Sequence, residues 1–125
     1  MKNKIHTEKA PAAIGPYSQA IKTNNIIYFS GQIPLDPKTM VLVSDDIAKQ
    51  TEQVLTNLLH VSQAAGANLD AIVKLTIYLT DLTHFPIVNE IMGKFFKEPY
   101  PARTTIQVAA LPKAAQIEID AIMAV

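Results

Sequence analysis

Arg103 stands where a guanidinium could bind a small carboxylate. It follows the proline-rich segment 99–101 and opens a strand pattern, so a stiff backbone delivers its side chain. The planar guanidinium can contact both oxygens of one carboxylate, which the point charge of a lysine cannot reproduce. This pattern predicts a carboxylate-binding arginine. The alternative is a structural arginine that pairs with an acidic side chain at a subunit interface.

Glu118 is the second residue whose chemistry could act on a bound molecule. It lies between Ile117 and Ile119, so on a strand it points away from both and shares a face with Asp120 and Ile122. A positioned carboxylate can accept a proton in one step of a reaction and return it in a later step. We therefore treat Glu118 as a candidate general acid and base. The alternative is a solvated strand glutamate.

The spacing of these two residues limits how they can meet. If the last two strands formed a tight hairpin that paired position 109 with 116, Arg103 would lie opposite Ile122. Glu118 would then be about four rungs away, or ~13 Å at the usual strand rise. This is too far for one small substrate. Either the two strands are not neighbours or the site spans subunits, and the sequence leaves both possibilities open.

Two amphipathic segments predict the helices that support these strands. The first covers 45–66, with Ser44 or Asp45 as the N-terminal cap. Gly66 is predicted to take the left-handed backbone conformation that ends the helix. Its apolar side carries Ile47, Val54, Leu58, Val61 and Ala65, and its predicted solvent side carries Lys49, Gln53, Asn57 and His60. The second covers about 84–97, and its buried stripe is Phe85, Val88, Met92, Phe95 and Phe96.

Period-two patterns predict the strands. They cover 19–23, 26–33, 72–80, 103–109 and 116–124, with a short edge strand near 4–7. In 72–80 the predicted core face carries Val73, Leu75, Ile77 and Leu79. The order strand 72–80, helix 84–97, strand 103–109 predicts a right-handed crossover that joins parallel neighbours. We expect an α+β fold in which both helices pack on one face of a mixed six-stranded sheet.

The second face of that sheet is also substantially apolar. Ile26, Tyr28 and Ile122 point away from the core-facing residues of their strands. Two helices on one face cannot cover the other. A contiguous exposed apolar patch is a usual mark of an interface, so we predict that this face packs against copies of the same chain.

Composition removes several classes of function. The 125 residues fit one domain, 1–125, with an apolar fraction of 49%. No run is long and apolar enough to cross a bilayer, and the N-terminus has no apolar stretch typical of a signal peptide, so we expect a cytoplasmic protein without a membrane partner. Eleven basic residues balance eleven acidic ones without a cluster, which argues against nucleic-acid binding. There is no cysteine, and the three histidines lack metal-ligand spacing, so no metal is expected.

Six short motifs occur together in one order. They are AIGPYSQA at 13–20, FSGQIP at 29–34, VNE at 88–90, PAR at 101–103, VAALPK at 108–113 and IEIDAI at 117–122. In this order and register they closely resemble the reactive intermediate deaminase family (RidA, also called YjgF), essentially from end to end.

The resemblance implies a chorismate-mutase-like fold assembled as a homotrimer around a central barrel, with ligand sites between subunits. It implies hydrolysis of imines derived from 2-aminoacrylate or 2-aminocrotonate, products of pyridoxal-phosphate-dependent dehydratases, to a 2-oxo acid and ammonia. No cofactor is implied. Some relatives are described as ribonucleases or translation inhibitors, and others as ligand-binding or chaperone-like modules. Both remain alternatives.

The resemblance also implies roles for individual residues. Arg103 matches the carboxylate-binding arginine and Glu118 the acid, whereas Asp120 matches no acid position and is interpreted as structural. Tyr17 matches a residue that lines the pocket from an adjoining subunit; the alternative is an ordinary half-buried tyrosine.

Five further positions are predicted at the pocket. Ser30 and Gly31 end a buried strand, where a missing Cβ lets a ligand approach the backbone; the alternative is a β-bulge or turn glycine. Phe85 and Asn89 match the pocket wall, although Phe85 fits the helix core equally well. The backbone of Thr105 is a possible contact for water or substrate.

Three positions depart from the family pattern. Thr105 stands where some relatives have cysteine and others a small residue, so no nucleophile is predicted there. Met40 stands where glycine is common, which we expect to affect only a hairpin turn. Met92 stands where tyrosine is common, which bears on the pocket wall or on packing.

Overall fold

Alternating apolar residues build six strands, and two amphipathic segments build the helices that cover them. The computed structural model describes all residues, Met1–Val125. The strands are β1 Lys2–Ile5, β2 Ala20–Thr23, β3 Ile26–Gln32, β4 Ile72–Leu79, β5 Ala102–Gln107 and β6 Ile117–Ala124. The helices are α1 Ile47–Ala64 and α2 Phe85–Phe95. The predicted α+β fold with a six-stranded mixed sheet and two helices is confirmed.

The sheet has the strand order β1-β2-β3-β6-β4-β5. Only β4 and β5 are parallel, as the crossover through α2 predicts. Strand β4 lies between β5 and β6, so the last two strands of the chain are not neighbours. The tight-hairpin possibility is therefore excluded.

The start of α1 differs from the prediction. The cap is Asp46, whose carboxylate accepts a hydrogen bond from the Lys49 N–H at 3.0 Å. Ser44 lies two residues before the cap, and its hydroxyl oxygen accepts a hydrogen bond from the Asp46 N–H at 3.0 Å. At the other end Gly66 has a φ of +84°, the predicted left-handed position.

The predicted solvent side of α1 is wrong at Asn57, which is fully buried. Its amide donates to the carbonyl oxygens of Leu35 at 3.1 Å and Ile33 at 3.4 Å, so it ties the loop after β3 to the helix. Loop carbonyls satisfy its polar group, which periodicity cannot foresee. His60 is only partly exposed, because its Nδ1 lies 2.8 Å from the carbonyl oxygen of Lys9.

The core lies between the sheet and the helices. Leu75, Ile77 and Leu79 are completely buried there, as predicted for β4. Val73 is 48% exposed, and that prediction is wrong. The pairing of β4 with β6 shifts register between Ile72 and Lys74, and this irregularity turns Ile72 into the core instead.

The stripe of α2 packs as predicted. Val88, Met92 and Phe96 are buried, while Phe85 and Phe95 are partly buried against the same core. On the opposite face of the sheet Tyr28 is 50% exposed, and Ile26 and Ile122 remain partly exposed. The expected apolar second face is present in the chain. None of the helices has the length and apolarity required to cross a membrane.

Candidate functional site

Arg103 lies on the helix side of the sheet because it is in register with the buried Leu75 of the parallel strand β4. Two residues of α2 contact its side chain. Its Nη1 donates to Oδ1 of Asn89 at 2.7 Å, and its Cζ lies 4.8 Å from the centroid of the Phe85 ring. Positions 85 and 89 are one turn apart, so the helix presents both to the guanidinium together. A cation over an aromatic face is attracted by the ring's electrons.

The guanidinium of Arg103 is exposed and has no acidic partner in the chain. The chain's one ion pair joins Lys97 to Asp70 at 3.4 Å. With one N–H directed to Asn89, the remaining donors are available for a ligand.

A cavity of about 450 Å³ adjoins this side chain. We call it the arginine cleft, and its lining residues are Asn89, Met92, Gly93, Phe96, Tyr100, Pro101 and Arg103. Met92 therefore forms part of its wall. Thr105 points to the same side as Arg103, since it is in register with the buried Ile77, but it does not line the cavity.

Glu118 lies on the opposite face of the sheet. It pairs with Tyr78 of β4, while its neighbours Ile117 and Ile119 are completely buried on the helix side. Its carboxylate rests against Gly31 of β3, where a Cβ would collide with Oε2 of Glu118. The missing side chain of Gly31 thus makes room for the carboxylate.

Strand β3 carries a bulge at this point. Phe29 pairs with Ala121 and Gln32 with Ile119, so Ser30 and Gly31 together face a single residue of β6. Gly31 is therefore a bulge glycine, and the predicted contact between this backbone and a ligand stays a prediction. The hydroxyl of Ser30 donates to the carbonyl oxygen of Ser18 at 2.6 Å and ties the bulge to the segment that carries Tyr17.

Burial raises the pKa of the Glu118 carboxyl, and the negative charge of Asp120 raises this pKa further. Both effects disfavour the charged form, because a half-buried carboxylate loses hydration and a second carboxylate repels it. A carboxyl whose pKa is moved toward neutrality is better matched to proton transfer near pH 7.

A second cavity, of about 470 Å³, lies beside Gly31. We call it the tyrosine cleft, and its lining residues are Pro11, Ala12, Ile14, Tyr17, Gln19, Ser30, Gly31, Gln32, Ile33, Leu35, Met40, Pro112 and Lys113. Tyr17 is 51% exposed at this cleft. The buried amide of Gln19 holds the preceding segment through hydrogen bonds to the backbone of Thr7, Ala10 and Pro11.

One chain does not bring Arg103 and Glu118 together. Arg103 is level with Leu75 and Glu118 with Tyr78, three rungs further along β4. This corresponds to roughly 10 Å along the strands and roughly another 10 Å across two strand spacings. The two side chains also point to opposite faces. The predicted residues thus form two groups, Arg103 with Asn89, Phe85 and Thr105, and Glu118 with Gly31, Ser30 and Tyr17.

Several residues of these surfaces were not predicted. The hydroxyl of Tyr78 donates to Oδ2 of Asp120 at 2.8 Å, which becomes visible only once β4 and β6 are known to pair. Lys113 and Met40 line the tyrosine cleft. Met40 lies in the predicted turn, with a φ of 60°, and it lines this cleft as well.

No group of three or more His, Asp or Glu side chains in the chain is arranged to hold a metal ion.

Comparisons with known proteins agree with the fold and the motifs. The family model described as endoribonuclease L-PSP matches residues 7–125. Reactive Intermediate Deaminase A, chloroplastic, from Arabidopsis thaliana is 54% identical over 121 residues, which are 97% of this chain and 65% of that protein, so the chain spans less than two thirds of it. Human 2-iminobutanoate/2-iminopropanoate deaminase is 48% identical over 118 residues, 94% of this chain and 86% of the human protein.

Among solved structures, a protein of the conserved Rid family from Yersinia pestis is 51% identical and superimposes with a TM-score of 0.97 over 100% of both chains. The match covers nearly the whole sequence and the whole fold. This chain belongs to the reactive intermediate deaminase family, RidA/YjgF.

Proposed function

We propose that this chain hydrolyses imines derived from 2-aminoacrylate and 2-aminocrotonate to 2-oxo acids and ammonia, without a cofactor. The observation that carries this proposal is the exposed guanidinium of Arg103, which Asn89 and Phe85 orient and which has no carboxylate partner in the chain. Such a group suits the carboxylate of a small substrate. The name of the human relative supports the class of substrate.

The chemistry assigned to Glu118 is proton transfer. A water molecule attacks the C=N carbon while Glu118 accepts its proton, and a tetrahedral carbinolamine forms. Glu118 delivers that proton to the nitrogen of the carbinolamine. It then takes the hydroxyl proton and passes it to the same nitrogen, so that the C–N bond breaks, the C=O bond forms, ammonia leaves, and Glu118 is again a carboxylate. The raised pKa of Glu118 supports this role, because it makes the carboxylate a stronger base.

We propose further that the site is completed between subunits of a homotrimer. Arg103 and Glu118 lie on opposite faces of one sheet, so a head-to-tail contact is the arrangement that can join them around one substrate. In a closed ring the arginine cleft of each copy then meets Glu118 of the next. The uncovered apolar side chains of the second sheet face, such as Tyr28, support such an assembly.

In this arrangement one copy supplies Arg103, Asn89, Phe85 and the backbone of Thr105. Its neighbour supplies Glu118 together with the tyrosine cleft. We assign Tyr17 to orienting the substrate through its hydroxyl, and Ser30 and Gly31 to contacts from the bulged backbone. We expect the enzyme to act in the cytoplasm, alongside the dehydratases that release its substrates.

The direct test generates 2-iminobutyrate with a threonine dehydratase and follows release of the oxo acid. The wild-type protein is expected to accelerate release over the uncatalysed rate, and Arg103→Ala is expected to lose this acceleration. Lys97→Ala is the matched control, because it removes an exposed positive charge outside both clefts. If wild type does not accelerate release, the proposed function is wrong. If Arg103→Ala is as fast as wild type, the assignment of Arg103 is wrong.

Ribonuclease activity is a second candidate, because the matching family model is described as an endoribonuclease. The same preparations should be incubated with RNA through successive purification steps. RNA cleavage that stays with the protein, combined with no imine hydrolysis, would favour this candidate. Binding of small carboxylates without turnover would favour a ligand-binding module.

A further inference from the structure

We propose that Tyr78 and Asp120 are positioning residues for Glu118, an inference that rests on the proposed function. The phenol fixes the carboxylate of Asp120 beside Glu118, and the charge of Asp120 strengthens Glu118 as the group that takes and returns the proton. Neither Tyr78 nor Asp120 is required to touch the substrate.

The geometry of this pair follows from the register of β4 and β6. Tyr78 is paired with Glu118, and Thr76 is paired with Asp120. The hydroxyl of Tyr78 nevertheless reaches diagonally to Oδ2 of Asp120, at 2.8 Å. Diagonal partners on one face of an antiparallel pair are within reach of aromatic side chains. Asp120 is thus held two residues from Glu118 on the same face, roughly 7 Å along the strand.

No cation forms an ion pair with Asp120, since the chain's one ion pair joins Lys97 to Asp70. On β4, Lys74 turns toward β5, where its ammonium donates to Oγ1 of Thr104 at 2.7 Å and to the carbonyl oxygen of Leu75 at 3.1 Å. On β3 the titratable side chain is Tyr28, which is level with Ile122. Strand β5 presents Thr104 and Ile106 to this face, neither of which titrates.

Lys113 is a charged residue that lines the tyrosine cleft together with Gly31. Asp120 is the one charged side chain that contributes to the raised pKa of Glu118, after burial itself. The hydrogen bond to Asp120 also raises the pKa of Tyr78, so the phenol keeps its proton and remains a donor across the neutral range.

Glu118, Asp120 and Tyr78 therefore have three different roles. Glu118 accepts no hydrogen bond from the chain, so its proton affinity is set by burial and by its charged neighbour. Asp120 supplies that neighbouring charge, and Tyr78 holds it at a constant distance. Without the phenol, Asp120 is free to turn toward solvent, where water screens its charge.

The test measures the titration of Glu118 directly. Protein labelled with ¹³C at glutamate carboxyl carbons is titrated by NMR, and the signal of Glu118 is assigned by its loss in Glu118→Gln. In Asp120→Asn the midpoint is expected to fall by about half a pH unit, and in Tyr78→Phe by a smaller amount in the same direction. Asp70→Asn is the control, because it removes an exposed carboxylate paired with Lys97. It is expected to leave the midpoint unchanged.

The pH profile of imine hydrolysis gives the functional readout. The acid limb of kcat/KM is expected to shift to lower pH in Asp120→Asn, with a loss of about threefold at pH 7 and KM unchanged. An unchanged midpoint in Asp120→Asn overturns the proposal, and an unchanged midpoint in Tyr78→Phe alone overturns the part assigned to Tyr78. Because the NMR midpoint does not depend on turnover, it separates this proposal from a failure of the proposed function.

Discussion

The two groups of residues in the candidate site differ in the contacts that their functional side chains make with the rest of the chain. In the arginine cleft, Arg103 is exposed but tied by Asn89 and Phe85, so contacts with α2 orient its guanidinium. On the other face, Glu118 is half-buried, accepts no hydrogen bond from the chain and lies against a backbone without a Cβ at Gly31. The group that we assign to carboxylate binding is thus positioned by the contacts it makes, whereas the group that we assign to proton transfer has a raised pKa and no hydrogen-bond donor from the chain.

Backbone strain is also distributed unequally between the two regions. Met40 and Lys113, which line the tyrosine cleft, have φ values of 60° and 57°. The neighbouring Ala114 has a φ of 58°. No residue that lines the arginine cleft has a positive φ. Strained conformations cost roughly 1–3 kcal/mol each and tend to cluster at functional sites, so the strain lies on the side that we assign to the reacting groups.

Mixing two inactive variants gives the largest expected effect and tests whether the two regions meet across subunits. Arg103→Ala and Glu118→Gln are each expected to lose at least about a hundredfold in kcat/KM. When the two variants are unfolded and refolded together in equal amounts, about a quarter of shared sites combine an intact Arg103 with an intact Glu118. About a quarter of wild-type activity should return. Sites contained in single chains would restore none.

Substituting Gly31 tests the claim that Glu118 depends on the missing side chain. Gly31→Ala places a Cβ where Oε2 of Glu118 lies, and the flexible carboxylate must move away. We expect a loss of about a hundredfold in kcat, since a displacement of about 1 Å can cost that much, with little change in Tm. Gly93→Ala is the matched control, because a Cβ there meets no atom. Full activity in Gly31→Ala would contradict this account of Glu118.

Removing the amide of Asn89 tests whether its hydrogen bond orients the guanidinium of Arg103. Asn89→Ala breaks the 2.7 Å hydrogen bond to Arg103 and leaves the Phe85 ring as the remaining contact that orients the guanidinium. We expect KM to rise about fivefold with kcat nearly unchanged, which corresponds to a hydrogen bond worth about 1 kcal/mol. Glu90→Ala changes the adjacent exposed position of α2 and serves as the control. A fall in kcat at constant KM would show that Asn89 does more than orient Arg103.

The smallest expected effect is a change in thermal stability when Glu118 is replaced by the neutral glutamine. Its pKa is raised in the folded state, so the folded protein binds its proton more tightly than the unfolded chain. The protonated side chain therefore stabilises the fold at pH values below its pKa in the unfolded chain. This stabilisation is lost as the pH rises through its pKa in the folded protein. We therefore expect Glu118→Gln to raise Tm at pH 8 by about 2 °C, a modest effect because water screens a half-exposed carboxylate.

The same variant should match wild type in Tm at acid pH, where both side chains are neutral. Thermal unfolding followed at pH 4 and pH 8, at one protein concentration, measures the difference. Glu52→Gln, on the exposed side of α1, is the control and should not change Tm at either pH. A Tm for Glu118→Gln below that of wild type at pH 8 would show that the carboxylate is stabilised in the fold.

Much of the architecture was predictable because local patterns and the tertiary fold agree. The alternation in β4 and the stripe of α2 identify core residues directly, and the crossover rule predicts that β4 and β5 are parallel. The failures have local causes. Val73 is exposed because of an irregular register, and Asn57 is buried because loop carbonyls satisfy its amide. Neither cause can be seen in the spacing of apolar residues along the sequence.

The sequence by itself determined the family, the strand and helix order, and the residue types that could bind a carboxylate and move a proton. It did so because motifs and periodicity are properties of neighbouring positions along the chain. Only the tertiary structure decided that β4 separates β5 from β6, that Arg103 and Glu118 point to opposite faces, and that Glu118 occupies the space left by Gly31. Those facts depend on strand order and pairing register, which are set by contacts between residues that are distant in the sequence.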